Sequence, residues 1–576
     1  MVRRLFVGLL SATALVTIPV ALGSASGDRG AERLERIKHI VVIYQENHSF
    51  DNLYGSWEGV DGLLQAPPEK MVQVNQAGAP FNCLKQNDAN LTSPPLSATC
   101  TDTTVSPSFT SHFPNAPFTL DDYIHPNSTT CPNGLPNGEP GGCTRDLVHR
   151  FYQELYQLNG GRQDRYVTGS DAVGLTMGHY DTRMLPIYRY LHQDGHPHYA
   201  INDAFFQAAI GGSFLNHQWL IAAATPVWLN AVNDGSSNDL HSVVDVNGMP
   251  TGYPLYTSPS PALIKDLQLT ASCNPAPTRG ATPAGVVCGD FAVNTTQPTY
   301  QPFTPGLAIS RRLPPLTAPT IGDRLNEAGV DWAWYSGGWS NANGDVDAPG
   351  WTNGAGPLCS DPATNPNATY PNCPDKLFQF HHQSFNYYAT FAPGTAARAA
   401  HLRDEEEFLT AARSSTKSCN LKPVSFIKPV GAENEHPGYA SESRGSDHLV
   451  ELLQAIEESP CRRDTLVIVA YDEFGGTWDH VTPPGFGGTA GVFDQWGPST
   501  RVPALIVSPF LRGDFVVDHT PHDTTSILAT IERRFNLKPL TTRDSRVRDL
   551  STVYTAKNPF GVETDEADDH DRELRR

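Results

Sequence analysis

Two short segments gather oxygen-bearing side chains directly after runs of apolar, β-branched residues. Gln45-Glu46-Asn47-His48-Ser49-Phe50-Asp51 follows the run Ile37–Tyr44, and Asp472-Glu473-Phe474-Gly475-Gly476-Thr477-Trp478-Asp479-His480 follows Thr465–Tyr471. One carboxylate pair at a strand end reads equally well as a helix cap or an ion pair. Two such segments arriving from two core strands hold like charges together, an arrangement that is costly until a cation neutralises it. Glu46, Asn47, Asp472 and Glu473 offer four oxygen ligands, a set that suits one hard divalent ion such as Mn, Mg or Ca better than a cysteine-bound zinc. These residue types therefore predict one divalent metal ion.

The elements that position these ligands follow from hydrophobic pattern. Ile37–Tyr44 and Thr465–Tyr471 have the length and continuous apolar character of strands buried on both faces of a parallel sheet. Val502–Ser508 reads as a third, with Val330–Tyr335 and Val424–Ile427 weaker. Between them Asp323–Ala328, Arg403–Ala412, Ser446–Glu458 and Thr524–Phe535 carry apolar residues at helical steps, with Ser446 and Asp523 as caps. Strands alternating with helices predict an α/β fold with a doubly wound, mostly parallel sheet and helices on both faces. In such sheets ligands bind beyond the carboxyl ends of the strands, where both acidic segments fall. Residues 66–145 and 225–305 are Pro-, Thr- and Asn-rich and read as long loop insertions.

The chain has 576 residues, 41 Lys+Arg and 61 Asp+Glu, for a formal net charge of −20. No basic cluster is present, so a nucleic-acid partner is not expected. Arg3 and Arg4 precede an apolar run to Gly23 and the small residues Ser24, Ala25 and Ser26. This is the layout of a cleaved signal peptide over residues 1–25, with a partial match to a twin-arginine signal. Export to the periplasm, cell surface or medium is expected, without stable membrane insertion after cleavage. The ten cysteines agree with an oxidising compartment and fall into neighbours: Cys83/Cys100, Cys131/Cys143, Cys273/Cys288, Cys359/Cys373 and Cys419/Cys461. Loop closure costs least between neighbours, so these are the expected bridges. Residues 541–576 form a C-terminal segment ending in a charged tail.

The stretch Ile40-Val-Val-Ile-Tyr-Gln-Glu46-Asn47-His-Ser-Phe-Asp-Asn-Leu-Tyr-Gly55 resembles the opening motif of the bacterial phosphoesterase family of secreted acid phosphatases and phospholipases C, within the alkaline phosphatase superfamily. Tyr471-Asp472-Glu473-Phe-Gly-Gly-Thr-Trp-Asp479-His480 is similar to its second signature. Further matching stretches include Arg145-Asp-Leu-Val-His149, Asn159-Gly-Gly, Gly174–Tyr180 and Glu435-His436-Pro, so that the catalytic domain is expected over residues 37–540. The resemblance implies an alkaline phosphatase-like fold and metal-assisted hydrolysis of a phosphate-ester small molecule or a phospholipid headgroup through a hydroxyl nucleophile. Such a nucleophile belongs at a helix N-terminus, where amide dipoles favour phosphate. Thr176, after Gly174-Leu175 and before a helical pattern over Tyr180–His192, meets that description, with Ser170 and Ser213 as competitors. His112 and the doublet His381-His382 resemble family phosphate contacts, and His436 falls at the same sheet edge. Imidazole can donate a hydrogen bond to phosphate and a proton to a leaving alkoxide. His149, His217 and His480 read instead as core or supporting residues. The stretches Gly174–Asp181 and Gly211–Trp219 are more similar to the acid phosphatase branch, which predicts a phosphomonoesterase. Phospholipase C is the alternative, and a binding protein on a degenerate phosphatase fold is a third reading.

Overall fold

The computed structural model describes residues 25–124, 143–228, 243–245, 249, 252–259, 264–265, 291–304, 307–352, 378–438 and 440–561. The expected signal peptide, apart from its last residue, and the charged tail from 562 onward lie outside the described residues, as does most of the insertion at 225–305.

Eight strands make one mixed, mostly parallel sheet: β1 (His39–Gln45), β2 (Tyr199–Asn202), β3 (Trp332–Ser336), β4 (Leu402–Asp404), β5 (Val424–Lys428), β6 (Thr465–Tyr471), β7 (Ala504–Val507) and β8 (Phe515–Asp518). Their order is β4-β3-β5-β1-β6-β7-β2-β8. The apolar runs that flank β1 make it central, paired in parallel with β5 on one side and β6 on the other. Ile40, Val41, Val42 and Ile43 are all fully buried, and each such side chain contributes about 1.5–3 kcal/mol of burial. β7 departs from expectation, because it runs antiparallel to both neighbours. The reason is the connection: residues 472–503 contain no helix that would carry the chain back across the sheet. The strand starts from the edge where β6 ended and must run the other way. β2, β4 and β8 were not visible as patterns, being only three or four residues long.

The helices that bear on the site are α1 (Ala25–Arg36), α2 (Phe50–Leu53), α3 (Phe151–Leu158), α4 (Pro186–Leu191), α5 (Ser213–Ala222), α6 (Ile321–Glu327), α7 (Glu405–Arg413), α8 (Glu442–Glu457) and α9 (Thr525–Phe535). α8 begins one turn earlier than expected, because Ser441 rather than Ser446 accepts the capping bond, from Arg444 N at 3.1 Å. α4 packs against α8 and α8 against α7, while α9 and α6 both pack on α5. Cys83–Cys100 and Cys419–Cys461 are bonded as expected, and Cys143 is also in a disulfide. Cys131 and the pairs 273/288 and 359/373 lie outside the described residues. Among the described residues no helix is long and apolar enough to cross a membrane.

Candidate active site

The register of β1 on β6 aligns Gln45 with Tyr471, so Glu46-Asn47 and Asp472-Glu473 leave the sheet side by side. Asp472 N donates to Gln45 O at 3.1 Å and Asn47 N to Asp472 Oδ1 at 3.3 Å, which stitches the two strand ends together. Asn47 takes a left-handed conformation (φ 58°) to turn back toward the second strand. A Cβ on Gly475 (φ 62°) would stand 2.0 Å from Asn47 O, so only glycine lets the two loops approach this closely. All four expected ligand residues are fully buried. Asp472 Oδ2 is buried without a hydrogen-bond partner among the described residues, with His217 Nδ1 3.6 Å away.

Three carboxylates therefore share a water-excluded space. Burial and the charge of Asp472 push the Glu46 carboxyl up, burial raises Asp472, and burial with the neighbouring acids holds Glu473 well above the usual range. The amine of Lys428, at the end of β5, offsets part of this charge. It hydrogen-bonds to Glu46 Oε1 and to Tyr44 O (3.0 Å). The partnerless Asp472 Oδ2, the clustered carboxylate oxygens and an amide oxygen from Asn47, with no cysteine among the described residues of the site, suit a hard divalent cation. Glu46, His217 and His382 also bring ligand atoms within 4.8 Å of one another, so imidazole nitrogens border the oxygen set.

The hydroxyl that meets this set belongs to Ser213. Its Oγ lies 3.3 Å from Glu46 Oε2, 3.4 Å from Asn47 Oδ1 and 3.3 Å from Glu473 Oε1. Ser213 is the first residue of α5, and the opening amides of a helix have no intrahelical acceptor. The preceding Gly211 (φ 113°) and Gly212 lie against the 149–151 segment, where a Cβ on Gly212 would come within 2.5 Å of His149 O. Thr176 stands elsewhere. It lies inside a single 3-10 turn, Val173–Met177, and its hydroxyl donates to Val173 O at 2.9 Å. The helix expected after it starts only at Pro186, because Pro presets the first turn there. Ser170 is likewise bound locally, its Oγ accepting from Ala172 N.

The histidines divide in a similar way. His382 Nε2 lies 3.4 Å from Glu46 Oε1, its ring stacks on His217 at 4.6 Å, and His381 packs against it at 4.3 Å. His149, read from sequence as supporting, reaches the ligands directly: Nε2 is 3.6 Å from Glu473 Oε1 and 3.4 Å from Asn47 Nδ2. Its Nδ1 is held on Leu147 O at 2.6 Å, and His436 packs edge-on against its ring at 5.7 Å. Burial lowers His217 and His382 well below the ordinary imidazole range and His436 to about 4, so these stay neutral. Burial also opposes a charge on His149, yet Glu473 and Asp146 outweigh it and hold that imidazole well above its usual value. His112 is not brought to this set: its Nδ1 bonds Ser97 O at 3.0 Å and its ring packs on Phe113 and Tyr123. Lys428 was missed altogether, since one lysine at a strand end carries no pattern.

The chain as a whole has counterparts among known proteins. The chain matches the Phosphoesterase family over residues 37–538, and it belongs to that family. It is 23% identical to phospholipase C A of Mycobacterium tuberculosis over 553 residues, covering 91% of this chain and 78% of that protein. Phospholipase C B of the same organism is 25% identical over 556 residues, covering 91% and 79%. Non-specific phospholipase C3 of Arabidopsis thaliana is 34% identical over a shorter stretch of 160 residues, 24% of this chain and 30% of that protein. The chain is thus a hydrolase of phosphoric ester bonds.

Proposed function

We propose that the protein is an exported, metal-dependent phosphomonoesterase with Ser213 as its nucleophile, on an alkaline phosphatase-like, doubly wound sheet. The observation that carries the reading is the Ser213 hydroxyl, at a helix start and within 3.4 Å of Glu46, Asn47 and Glu473. Glu46, Asn47, Asp472 and Glu473 would hold one divalent ion, which supplies Lewis-acid charge and lowers the pKa of a nearby hydroxyl. The role that the motif spacing assigned to Thr176 passes to Ser213, because the Thr176 hydroxyl is committed to its own turn.

Ser213 Oγ passes its proton to one of the carboxylates it faces, Glu46 or Glu473, and attacks phosphorus, the new Oγ–P bond forming as the ester P–O bond breaks. The departing alkoxide takes a proton from the His149 imidazolium, and water then hydrolyses the phosphoserine, restoring the serine hydroxyl and returning a proton to His149. The free amides opening α5 favour phosphate. His149, anchored through Nδ1, directs Nε2 at the ligand set, and His381, His382 and His436 complete the ring of candidate donors. A monoester presents three free phosphoryl oxygens and a diester two, so this density of donors favours a monoester.

Phospholipase C activity is the second reading. It is favoured by the names of relatives that align with nine-tenths of this chain. Comparing hydrolysis of p-nitrophenyl phosphate with that of p-nitrophenylphosphorylcholine separates the two. We expect kcat/KM at least about tenfold higher for the monoester. A preference for the choline ester would transfer the assignment to phospholipase C, and no turnover of either would leave a binding protein. Ser213→Ala should be inactive on whichever ester the wild type cleaves.

A further inference from the structure

Glu154 is a fully buried carboxylate in α3 that no catalytic motif calls for. Every group facing it is a neutral donor. Oε2 accepts from Gly211 N at 2.5 Å and from Gln207 Nε2 at 3.0 Å. Oε1 accepts from Ser499 Oγ, from Thr500 Oγ1 at 2.9 Å and from Thr500 N at 3.4 Å. Arg501, one residue further on, turns away to Asp479 and Asp51. A buried anion without a cationic partner costs several kcal/mol, and burial pushes this carboxyl up to about 7. Core packing alone does not ask for such a group. Five donors do, because only an ionised carboxylate accepts on both oxygens and donates nothing.

The donors belong to the catalytic framework. Gly211 stands two residues before Ser213. Gln207 Nε2 also holds Ala209 O (2.8 Å) and Gly211 O (3.1 Å), while its Oε1 accepts from Phe474 N at 2.9 Å, directly after Glu473. Asn216 clasps the same turn from inside α5, donating to Ala209 O and Gly211 O at 3.1 and 3.0 Å. One carboxylate thus refers the turn before the hydroxyl and the loop bearing the metal ligand to a common point.

We propose that Glu154 is a positioning residue that fixes the Ser213 hydroxyl relative to Glu473 by holding Gly211 N and Gln207 Nε2 on one oxygen. The inference rests on the reading of Ser213 as nucleophile. Glu154→Gln turns an amide NH2 toward groups that are themselves donors, and a displacement of about 1 Å at a nucleophile costs on the order of 100-fold in rate. For p-nitrophenyl phosphate hydrolysis by the full chain we expect kcat to fall about 100-fold, with KM and Mn(II) affinity, measured by calorimetry, within about threefold. A folded Glu154→Gln enzyme with kcat within about threefold of wild type overturns the proposal. So does an equal loss of Mn(II) affinity, which would make Glu154 a support of the whole ligand set.

Gly211→Ala supplies a second test that keeps the carboxylate and displaces only the turn that carries the Gly211 N donor. Its Cβ would meet Phe151 Cα at 3.2 Å at a φ of 113°, so the turn must shift. We expect kcat to fall at least about tenfold with Mn(II) affinity kept. Wild-type kcat in this variant, or a parallel loss of Mn(II) binding, overturns the proposal even if Glu154→Gln does not fold. Turnover by Ser213→Ala removes the nucleophile assignment itself, whereas an inactive Ser213→Ala beside a fast Glu154→Gln removes only the role of Glu154.

Discussion

His480 offers a test of how the two signature segments are held. Its Nδ1 lies 2.6 Å from Asp51 Oδ2, its backbone N donates to the same oxygen at 2.8 Å, and Nε2 lies 3.2 Å from Asp61 Oδ1. Arg501, fully buried, bonds Asp479 Oδ1 at 2.8 Å and Asp51 Oδ1 at 3.1 Å. Burial opposes a charge on His480, but Asp51 and the hydrogen bonds outweigh it and raise the imidazole from 6.5 to about 9. Between those values the folded chain holds a proton that the unfolded chain has lost. The stabilisation is therefore complete below about pH 6.5 and disappears as pH rises through about 9. A rise of this size is worth about 3 kcal/mol. With roughly 2 cal/mol/K of unfolding entropy per residue over a chain of this length, it corresponds to ~3 °C in Tm. His480→Gln keeps a polar side chain but cannot titrate. Scanning calorimetry from pH 6 to pH 9.5 should show the wild type losing ~3 °C more than the variant. His448, also near 9 because Glu405 outweighs its burial, titrates in both proteins and cancels in the difference. Parallel Tm profiles for the two proteins would refute the reasoning.

Four further outcomes are expected. Asp472→Ala should stay folded but lose Mn(II) binding and most of its hydrolysis, by orders of magnitude, and an active metal-free variant would sink the ligand assignment. Replacing Cys419 and Cys461 by Ser opens a loop of 42 residues and should cost about 4 kcal/mol in urea unfolding; an unchanged midpoint would mean that the bridge constrains little. Thr176→Val should cost about 1 kcal/mol of stability, for the lost bond to Val173 O, and leave kcat within about threefold. Phosphate trapped at low pH should label the Ser213 peptide, and label on Thr176 would reverse the assignment.

What the sequence revealed and what it concealed have separate physical origins. β1, β3, β5 and β6 were legible because strands buried on both faces must be apolar throughout, and the acidic pairs were legible because they interrupt that pattern abruptly. β7 was legible as a strand but not in direction, since direction depends on the connection and not on the strand's own residues. Ser213 was harder to assign. It follows two glycines and opens a helix buried at all ten positions, so no amphipathic stripe announces it. Thr176 looked better placed only because its Gly-Leu prefix and the polar run after it imitate a loop-to-helix junction. His149 and His112 both sit in His-bearing segments that match the family, and only the fold separates the one 3.6 Å from Glu473 from the one bonded to Ser97 O. Glu154 lay beyond any local reading, because its five donors come from residues 207, 211, 499 and 500.

Charge balance at the centre links these parts. Glu46, Asp472 and Glu473 bring three carboxylates into a site with no exposure, and Lys428 and the protonated His149 return two positive charges. One negative charge remains, so a single divalent ion would leave the site net positive toward a phosphate. Apart from His149, the groups that would then face a phosphate are neutral donors: imidazoles that burial keeps uncharged, such as His382 and His436, and the opening amides of α5. Neutral donors bind an anion without adding fixed charge, so most of the contacts to product phosphate would add no cation that holds it as firmly as the transition state. Catalysis in such a site depends on placing the hydroxyl and the ligands accurately rather than on accumulating charge. That requirement accounts for the buried polar framework of Glu154, Gln207 and Asn216 behind Ser213, the proposed nucleophile. It accounts equally for the network of Asp51, Asp479, His480 and Arg501 behind the proposed metal ligands, where ionised groups are retained at positions that apolar packing would otherwise fill.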